Sequence, residues 1–218
     1  MSRTWDCADA SQRERGIADA VAALARGELV VLPTDTLYGI AADAFTPTAI
    51  DNLLAAKGRG RDMPVPVLVG SWDGIDGLVS VVSSELRELT QAFWPGGLTI
   101  VVRHSPGLAW DLGDAAGTVA VRMPLHAVAI EVLRQTGPLG VSSANRTGQP
   151  PATSASDARD QLGDRVTVYL DGGETPAATP STIVDLTTPD GPRILREGAV
   201  SVDALLEVLP GIRTGGTP

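Results

Sequence analysis

Leu29-Val30-Val31-Leu32-Pro33-Thr34-Asp35-Thr36 is an apolar run that stops at a proline and passes at once into hydroxyls and a carboxylate. Four consecutive apolar residues closed by proline predict a short buried strand. Upstream, Ile17, Val21, Leu24 and Ala25 recur at helical spacing within residues 11–26, and Gly27 stands where a C-terminal cap is expected. Downstream, Thr46-Pro47 reads as an N-cap followed by proline at the first helical position. The helix it opens carries Ile50, Leu53 and Leu54 on one face and stops at Lys57-Gly58.

The same rhythm continues. Strands are expected at 65–69, 98–102, 118–122, 139–141, 166–170, 182–186 and 194–195. Helices are expected at 84–93 and 126–135, in a short segment ending near Leu162, and at 202–209, while 105–117 and 142–148 read as loops. Two or three strand–strand steps break a strict βαβ order. The expectation is α/β: a mixed, twisted sheet flanked by helices, in one domain over residues 10–210, with a disordered tail at 211–218.

Composition narrows the function. Lys+Arg 17 against Asp+Glu 26 leaves a net charge of −9 over 218 residues, which argues against whole-molecule attraction to nucleic acid or an anionic membrane. One cysteine, Cys7, excludes an internal disulfide framework and a multi-thiolate zinc site, and it reads as incidental in a polar stretch. The two histidines, His104 and His126, show no HExxH pairing, so no metal centre is expected; His126 reads as a helix cap or surface residue. There is no run of about 18 apolar residues and no apolar signal core, so the expected location is the cytoplasm. Trp94, Phe93 and Tyr169 read as core, and Ser156-Asp157 as a helix start. Cations are almost all arginine: sixteen of them, with Lys57 the single lysine.

Four places gather polar residues in apolar surroundings. Pro33-Thr34-Asp35-Thr36-Leu37-Tyr38-Gly39 follows a buried strand, where α/β sheets place ligands; the alternative is a turn that satisfies its own backbone. Lys57-Gly58-Arg59-Gly60-Arg61 alternates three cations with glycines at a helix end. That suits a polyphosphate, or simply solvates the helix terminus, and no GxxxxGK[ST] loop exists in the chain. Ser142-Ser143-Ala144-Asn145-Arg146-Thr147-Gly148 offers hydroxyls and an amide for an anion or a ribose; a nucleophilic serine lacks a nearby histidine or carboxylate. Arg122 and Arg196 each close an apolar strand, as internal ion-pair partners or as two-pronged holders of a carboxylate or phosphate.

Taken in order, these segments resemble the YrdC-like family of threonylcarbamoyladenylate synthases, in its short single-domain form. The matches are Pro33–Gly39, Lys57-x-Arg59 with Met63-Pro64-Val65, Phe93-Trp-Pro-Gly96 with Leu98-Thr99, Val121-Arg122-Met-Pro124, Ser143-Ala144-Asn145 with Gly148, Ser181-Thr-Ile-Val-Asp185, and Ile194-Leu-Arg-Glu-Gly198. The resemblance spans about residues 16–200. It implies an open, concave, twisted sheet and the condensation of L-threonine, bicarbonate and ATP with loss of pyrophosphate, magnesium accompanying the ATP. The product would feed a downstream threonylcarbamoyl transferase acting on tRNA. By the family pattern, Lys57 and Arg59 face the ATP phosphates and are the catalytic pair, with Thr118, Ser143, Asn145 and Arg196 completing the nucleotide site. Thr36, Arg122 and Ser181 hold threonine. Asp35 is a candidate for the amine proton by position, or the organiser of its turn.

Three departures stand out: Gly60 where the family commonly has proline, Met63 where a polar residue often stands, and an apolar Val65–Val69 where some members carry a histidine. Two rival readings remain. One is a carbamoyl-adenylate-forming domain of the hydrogenase-maturation type. The other is a non-catalytic double-stranded RNA module with a basic groove around Arg59, Arg61 and Arg146.

Overall fold

The computed structural model describes residues 1–175 and 178–214. In chain order the elements are β1 (Arg3–Asp6), α1 (Ala10–Ala25), β2 (Val30–Leu32), β3 (Gly39–Asp43), α2 (Pro47–Lys57), β4 (Val67–Leu68), α3 (Ser84–Phe93), β5 (Leu98–Arg103) and β6 (Thr118–Arg122). Then come α4 (Ala127–Thr136), β7 (Leu139–Ser143), α5 (Ala155–Leu162), β8 (Val168–Asp171), β9 (Thr182–Asp185), β10 (Arg193–Arg196), α6 (Val202–Val208) and β11 (Arg213–Thr214). The strands form one open mixed sheet in the order β1-β8-β2-β3-β7-β4-β6-β5-β9-β10-β11.

Alternation along the strands explains why helices lie on both faces. Val31, Ile40, Ala42 and Tyr169 point into one core with Ile50 and Leu53 of α2 and Leu86 and Leu89 of α3. Their neighbours Val30, Leu32, Ala41, Val168 and Leu170 point into a second core with Ile17, Ala20 and Leu24 of α1 and Val132 and Leu133 of α4. A strand covered on both sides reads as an unbroken apolar run, as Leu29–Leu32 does.

Helix starts follow cap chemistry in most cases. Asp9, Ser83, Ser154 and Ser201 each accept a backbone N–H two or three residues into the following helix. Ser154, not Ser156-Asp157, therefore opens α5. Thr46 occupies the cap position of α2, but its hydroxyl donates instead to Asp43 Oδ2 at 2.6 Å. His126 occupies the cap position of α4 without a side-chain cap bond.

Three strands are absent from the sequence reading. β3 is Gly-Ile-Ala-Ala-Asp, poor in strand formers. It holds because it lies between β2 and β7, with Gly39 opposite Ser143 and Asp43 opposite Leu139. Small residues are also required in this layer: a Cβ on Gly140 of β7 would lie 2.5 Å from Ile50 Cδ1. β1, polar and at the sheet edge, pairs in parallel with β8, so the folded unit begins before residue 10. β11 pairs in parallel with β10, which places Arg213 and Thr214 in the sheet where a tail was expected; residues 215–218 lie outside the described residues.

Cys7, expected to be incidental, is 5% exposed in the second core because β1 carries it there. Burial, then the carboxylates of Asp171 and Asp6, push its thiol up to about 11. The expected outcome is that a thiol reagent at neutral pH labels native protein orders of magnitude more slowly than urea-unfolded protein. Equal rates, read by absorbance of the released chromophore, would mean that β1 does not hold Cys7 inside.

Candidate active site

The loop between β2 and β3 folds around its own hydroxyl. Thr34 Oγ1 donates to the Leu37 carbonyl at 2.6 Å and accepts the N–H groups of Thr36 and Leu37. This tight turn presents Asp35 and Thr36 to Arg122, at the C-terminal end of β6. Arg122 is 7% exposed, and its guanidinium donates to Asp35 Oδ1 at 2.7 Å, Thr36 Oγ1 at 2.8 Å and the Gly96 carbonyl at 2.9 Å. Asp35 Oδ1 also accepts the Leu125 N–H at 2.8 Å. Asp35 thus orients Arg122 and ties the turn to the segment after β6. Three of the five guanidinium N–H groups are used, which leaves two donors for a ligand.

Ser181, just before β9, stands beside this set. Its hydroxyl shares a 2.8 Å hydrogen bond with Thr99 Oγ1, and its carbonyl receives Arg196 Nε and NH2 at 3.1 and 2.7 Å. Burial, and then repulsion from Arg122, lower the pKa of Arg196. Gly97 lets the two groups approach: a Cβ there would lie 2.6 Å from Ala199 Cβ and 3.6 Å from Thr36 Cγ2.

The second cluster lies where β3 meets β7. Lys57, the last residue of α2, is 3% exposed. Gly58 turns the chain in a left-handed cap, φ 63°, so that Lys57 points inward while the backbone leaves the helix. Its ammonium donates to the carbonyls of Ser143 and, at 2.7 Å, Asn145. Burial, then Arg59, push it down to about 8. Arg59 donates to Met63 O at 2.9 Å, Pro64 O at 3.2 Å and Ser142 Oγ at 3.0 Å, and burial lowers its pKa.

Among the described residues, Lys57, Arg59 and Arg196 make no ion pair with a carboxylate. A buried Lys57, a half-buried Arg59 and a more exposed Arg196, none paired to a carboxylate in a protein of net charge −9, are a place for an anion.

Eight of the nine expected site residues fall into these two groups: Thr36, Arg122, Ser181 and Arg196 in one, Lys57, Arg59, Ser143 and Asn145 in the other. The groups are joined through the sheet: Thr36 of one lies three residues before Gly39, which pairs with Ser143 of the other. Thr118 is less closely joined. It lies at the other end of β6 from Arg122, with its hydroxyl on Ala115 O at 2.7 Å. It borders a small cavity with Pro64, the residue whose carbonyl holds Arg59.

Arg61, read as a third cation of the anion site, turns away to Asp51, Asp111 and Asp114. Thr34, Thr99 and Ser142 support the site and escape the sequence reading as individual residues. All three lie inside quoted motifs, Thr34 in Pro33–Gly39, Thr99 in Leu98-Thr99 and Ser142 in Ser142–Gly148, so the signal was there but their roles were not.

Comparison with known proteins fits this geometry. The Sua5/YciO/YrdC family model, which carries the description "Telomere recombination", matches residues 22–198. The chain belongs to this family.

A Pyrococcus abyssi relative named threonylcarbamoyl-AMP synthase is 34% identical over 188 residues, 86% of this chain and 55% of its own. The solved P. abyssi Sua5 in complex with L-threonine superposes with a TM-score of 0.90 at 30% identity, covering 99% of this chain and 62% of that one. A Mycobacterium tuberculosis protein is 60% identical over 209 residues, 96% of each chain, and its name carries the same activity provisionally. The chain therefore spans under two thirds of the P. abyssi protein and nearly all of the mycobacterial one.

Two departures from the Sua5/YciO/YrdC pattern gain a structural meaning. Met63 contributes its backbone carbonyl to Arg59 and is itself 41% exposed. The Val65–Val69 run is buried, with Val67 and Leu68 in the sheet.

Two outcomes are expected from this geometry. Asp35→Asn leaves a buried guanidinium without its counter-charge and lowers stability by about 3 kcal/mol in urea unfolding; a change under about 1 kcal/mol would mean the pair is not needed. For Lys57, the unfolded chain keeps its proton to about pH 10.5 and the folded one to about 8. The folded state therefore binds fewer protons in that window, and stability rises as pH climbs through it. The gap corresponds to about 3 kcal/mol. Wild type minus Lys57→Met, measured by urea unfolding across the window, should show this rise; a flat difference would rule out a depressed lysine.

Proposed function

We propose that this chain is an L-threonylcarbamoyladenylate synthase, a nucleotidyltransferase that joins L-threonine, bicarbonate and ATP and releases pyrophosphate. The observation that carries the reading is the pair of cationic groups flanking the Gly39–Ser143 junction, one around Arg122 and Arg196, the other around Lys57 and Arg59. The names of the relatives and the threonine-bound P. abyssi structure support it.

Threonine's carboxylate meets the two unused donors of Arg122, beside Thr36 and Ser181. Its amine adds to carbon dioxide drawn from bicarbonate and loses a proton to give a carbamate. A carbamate oxygen attacks the α-phosphorus of ATP, and pyrophosphate leaves on the opposite side. No covalent enzyme intermediate is needed. Catalysis rests on positioning and on fixed positive charge where the leaving group gains negative charge.

Lys57 has a double part. Its protons hold the Ser143–Asn145 loop in shape, and its charge, with Arg59 and Arg196, faces the nucleotide. Asn145, Ser143 and Thr118 complete that side. Asp35 holds Arg122 and the Leu125 N–H through Oδ1, which favours its organising role over proton transfer.

Magnesium would arrive with the ATP phosphates and neutralise part of their charge. Among the described residues no group of three or more His, Cys, Asp or Glu is placed to hold a metal ion. The product would pass to a threonylcarbamoyl transferase that modifies tRNA, which places the reaction in the cytoplasm. Among the described residues no helix is long and apolar enough to cross a membrane. The RNA-module reading loses ground, because Arg61 of its basic groove is matched by three aspartates.

The test mixes protein, ATP, magnesium, L-threonine and bicarbonate, omits each in turn, and follows pyrophosphate and the adenylate mass. Pyrophosphate that requires both threonine and bicarbonate is expected. ATP binding without threonine-dependent turnover would overturn the reading and return salt-sensitive RNA binding to the front. Lys57→Ala and Arg59→Ala should each lose at least about 100-fold in turnover with circular dichroism unchanged; unfolding of either would assign that residue to the scaffold.

A further inference from the structure

Arg61 shares the Lys57–Arg61 run with the two inward cations but reaches the opposite way. Its guanidinium meets Asp51 of α2 at 3.0 Å, Asp111 directly, and Asp114 at 3.9 Å. The backbone repeats the connection. Arg61 O accepts the Asp114 N–H at 2.9 Å, and the Val65 N–H donates to Leu112 O at 2.8 Å. Gly113, at φ 102°, lies against the join: a Cβ there would be 2.8 Å from Arg61 O and 3.3 Å from Pro64 Cα. Residues 59–65 are thereby clamped to residues 111–114.

Each side of this clamp carries a residue assigned to the nucleotide. Arg59 is two residues from Arg61 and hangs on the carbonyls of Met63 and Pro64 in the same segment. Ala115 follows Asp114, donates its N–H to Gly113 O at 2.8 Å, and accepts both the hydroxyl and the N–H of Thr118. Gly60 gives the 59–65 segment wide freedom of its own, so its shape depends on contacts made elsewhere.

We propose that Arg61, with Asp51, Asp111 and Asp114, is a positioning latch for the nucleotide end of the site. It fixes Arg59 and Thr118 without touching substrate, and it rests on the reading that ATP binds there. Arginine suits the task because one planar group with five donors can serve three carboxylates from two segments at once. Each contact is partly exposed and weak alone, with Arg61 itself 42% exposed. The latch acts through their sharing of one cation.

Two variants test it. Arg61→Ala removes the cation; Asp111→Asn with Asp114→Asn keeps the cation and removes two of its three counter-charges. Calorimetry would give the affinities for magnesium-ATP and for L-threonine, with pyrophosphate release by wild type measured alongside. The latch predicts ATP affinity down about five- to tenfold in both variants, threonine affinity within about twofold, and partial recovery in Arg61→Lys. Unchanged ATP affinity in both variants, or equal loss for the two ligands, would overturn it. Wild type that binds ATP but releases no pyrophosphate would overturn the synthase reading instead, leaving the latch to be decided by the ATP affinities.

Discussion

A guanidinium sealed from water must be matched by acceptors, and Arg122 draws them from distant parts of the chain: Asp35 and Thr36 from one loop and Gly96 from another. Leaving such a charge unmatched costs several kcal/mol. The turn after β2, the end of β6 and the approach to β5 are therefore fixed relative to one another before any ligand arrives. The same requirement explains the neighbouring packing. Gly97 has to be small for Thr36 and Ala199 to close on either side of it, and Gly198 has no room for a Cβ, which would lie 2.3 Å from Pro180 O. The side of the site proposed for threonine is thus built by the folding of the sheet itself, with donors left over for a partner.

The side proposed for the nucleotide follows a different logic. Lys57, Arg59 and Arg61 alternate with glycine in five residues and look equivalent as a string. In space the first two are desolvated against carbonyls and a hydroxyl, and the third is surrounded by carboxylates. Burial of Lys57 weakens its hold on its proton, while Arg61, on the outside, is held charged by Asp111. One run supplies both the charge that faces a ligand and the anchor that keeps that charge in place.

Much of this was legible in the sequence, and the exceptions have physical causes. Residues with a strong local signature came through: the proline-opened helix ending at Lys57, the apolar strands beginning at Leu98 and Thr118, and the motifs holding Thr36, Arg122, Ser181 and Asn145. What stayed hidden depends on partners far along the chain. β3 is a strand because β2 and β7 enclose it, despite its alanines. Cys7 is buried because β1 joins the edge of the sheet beside β8. Arg61 departs from its neighbours because two of its three carboxylate partners lie 50 or more residues away. Local spacing cannot reveal a tertiary partner of that kind, and the family resemblance named the ligand side of the run rather than its anchor.

Among the described residues, the eleven-stranded sheet does not close on itself and ends in two edges, β1 and β11. Such edges are templates on which another chain can add a strand and begin to polymerise. Both are poor templates. The described part of β11 is two residues, both exposed, with Arg213 paired to Asp190. β1 is four residues long and carries Arg3, tied to Asp19 at 2.6 Å, and Trp5, whose indole N–H reaches the same carboxylate at 3.0 Å. Short rims with ion-paired side chains offer a second chain little to pair with, so a sheet can stay open for a ligand without presenting a ready seed for aggregation.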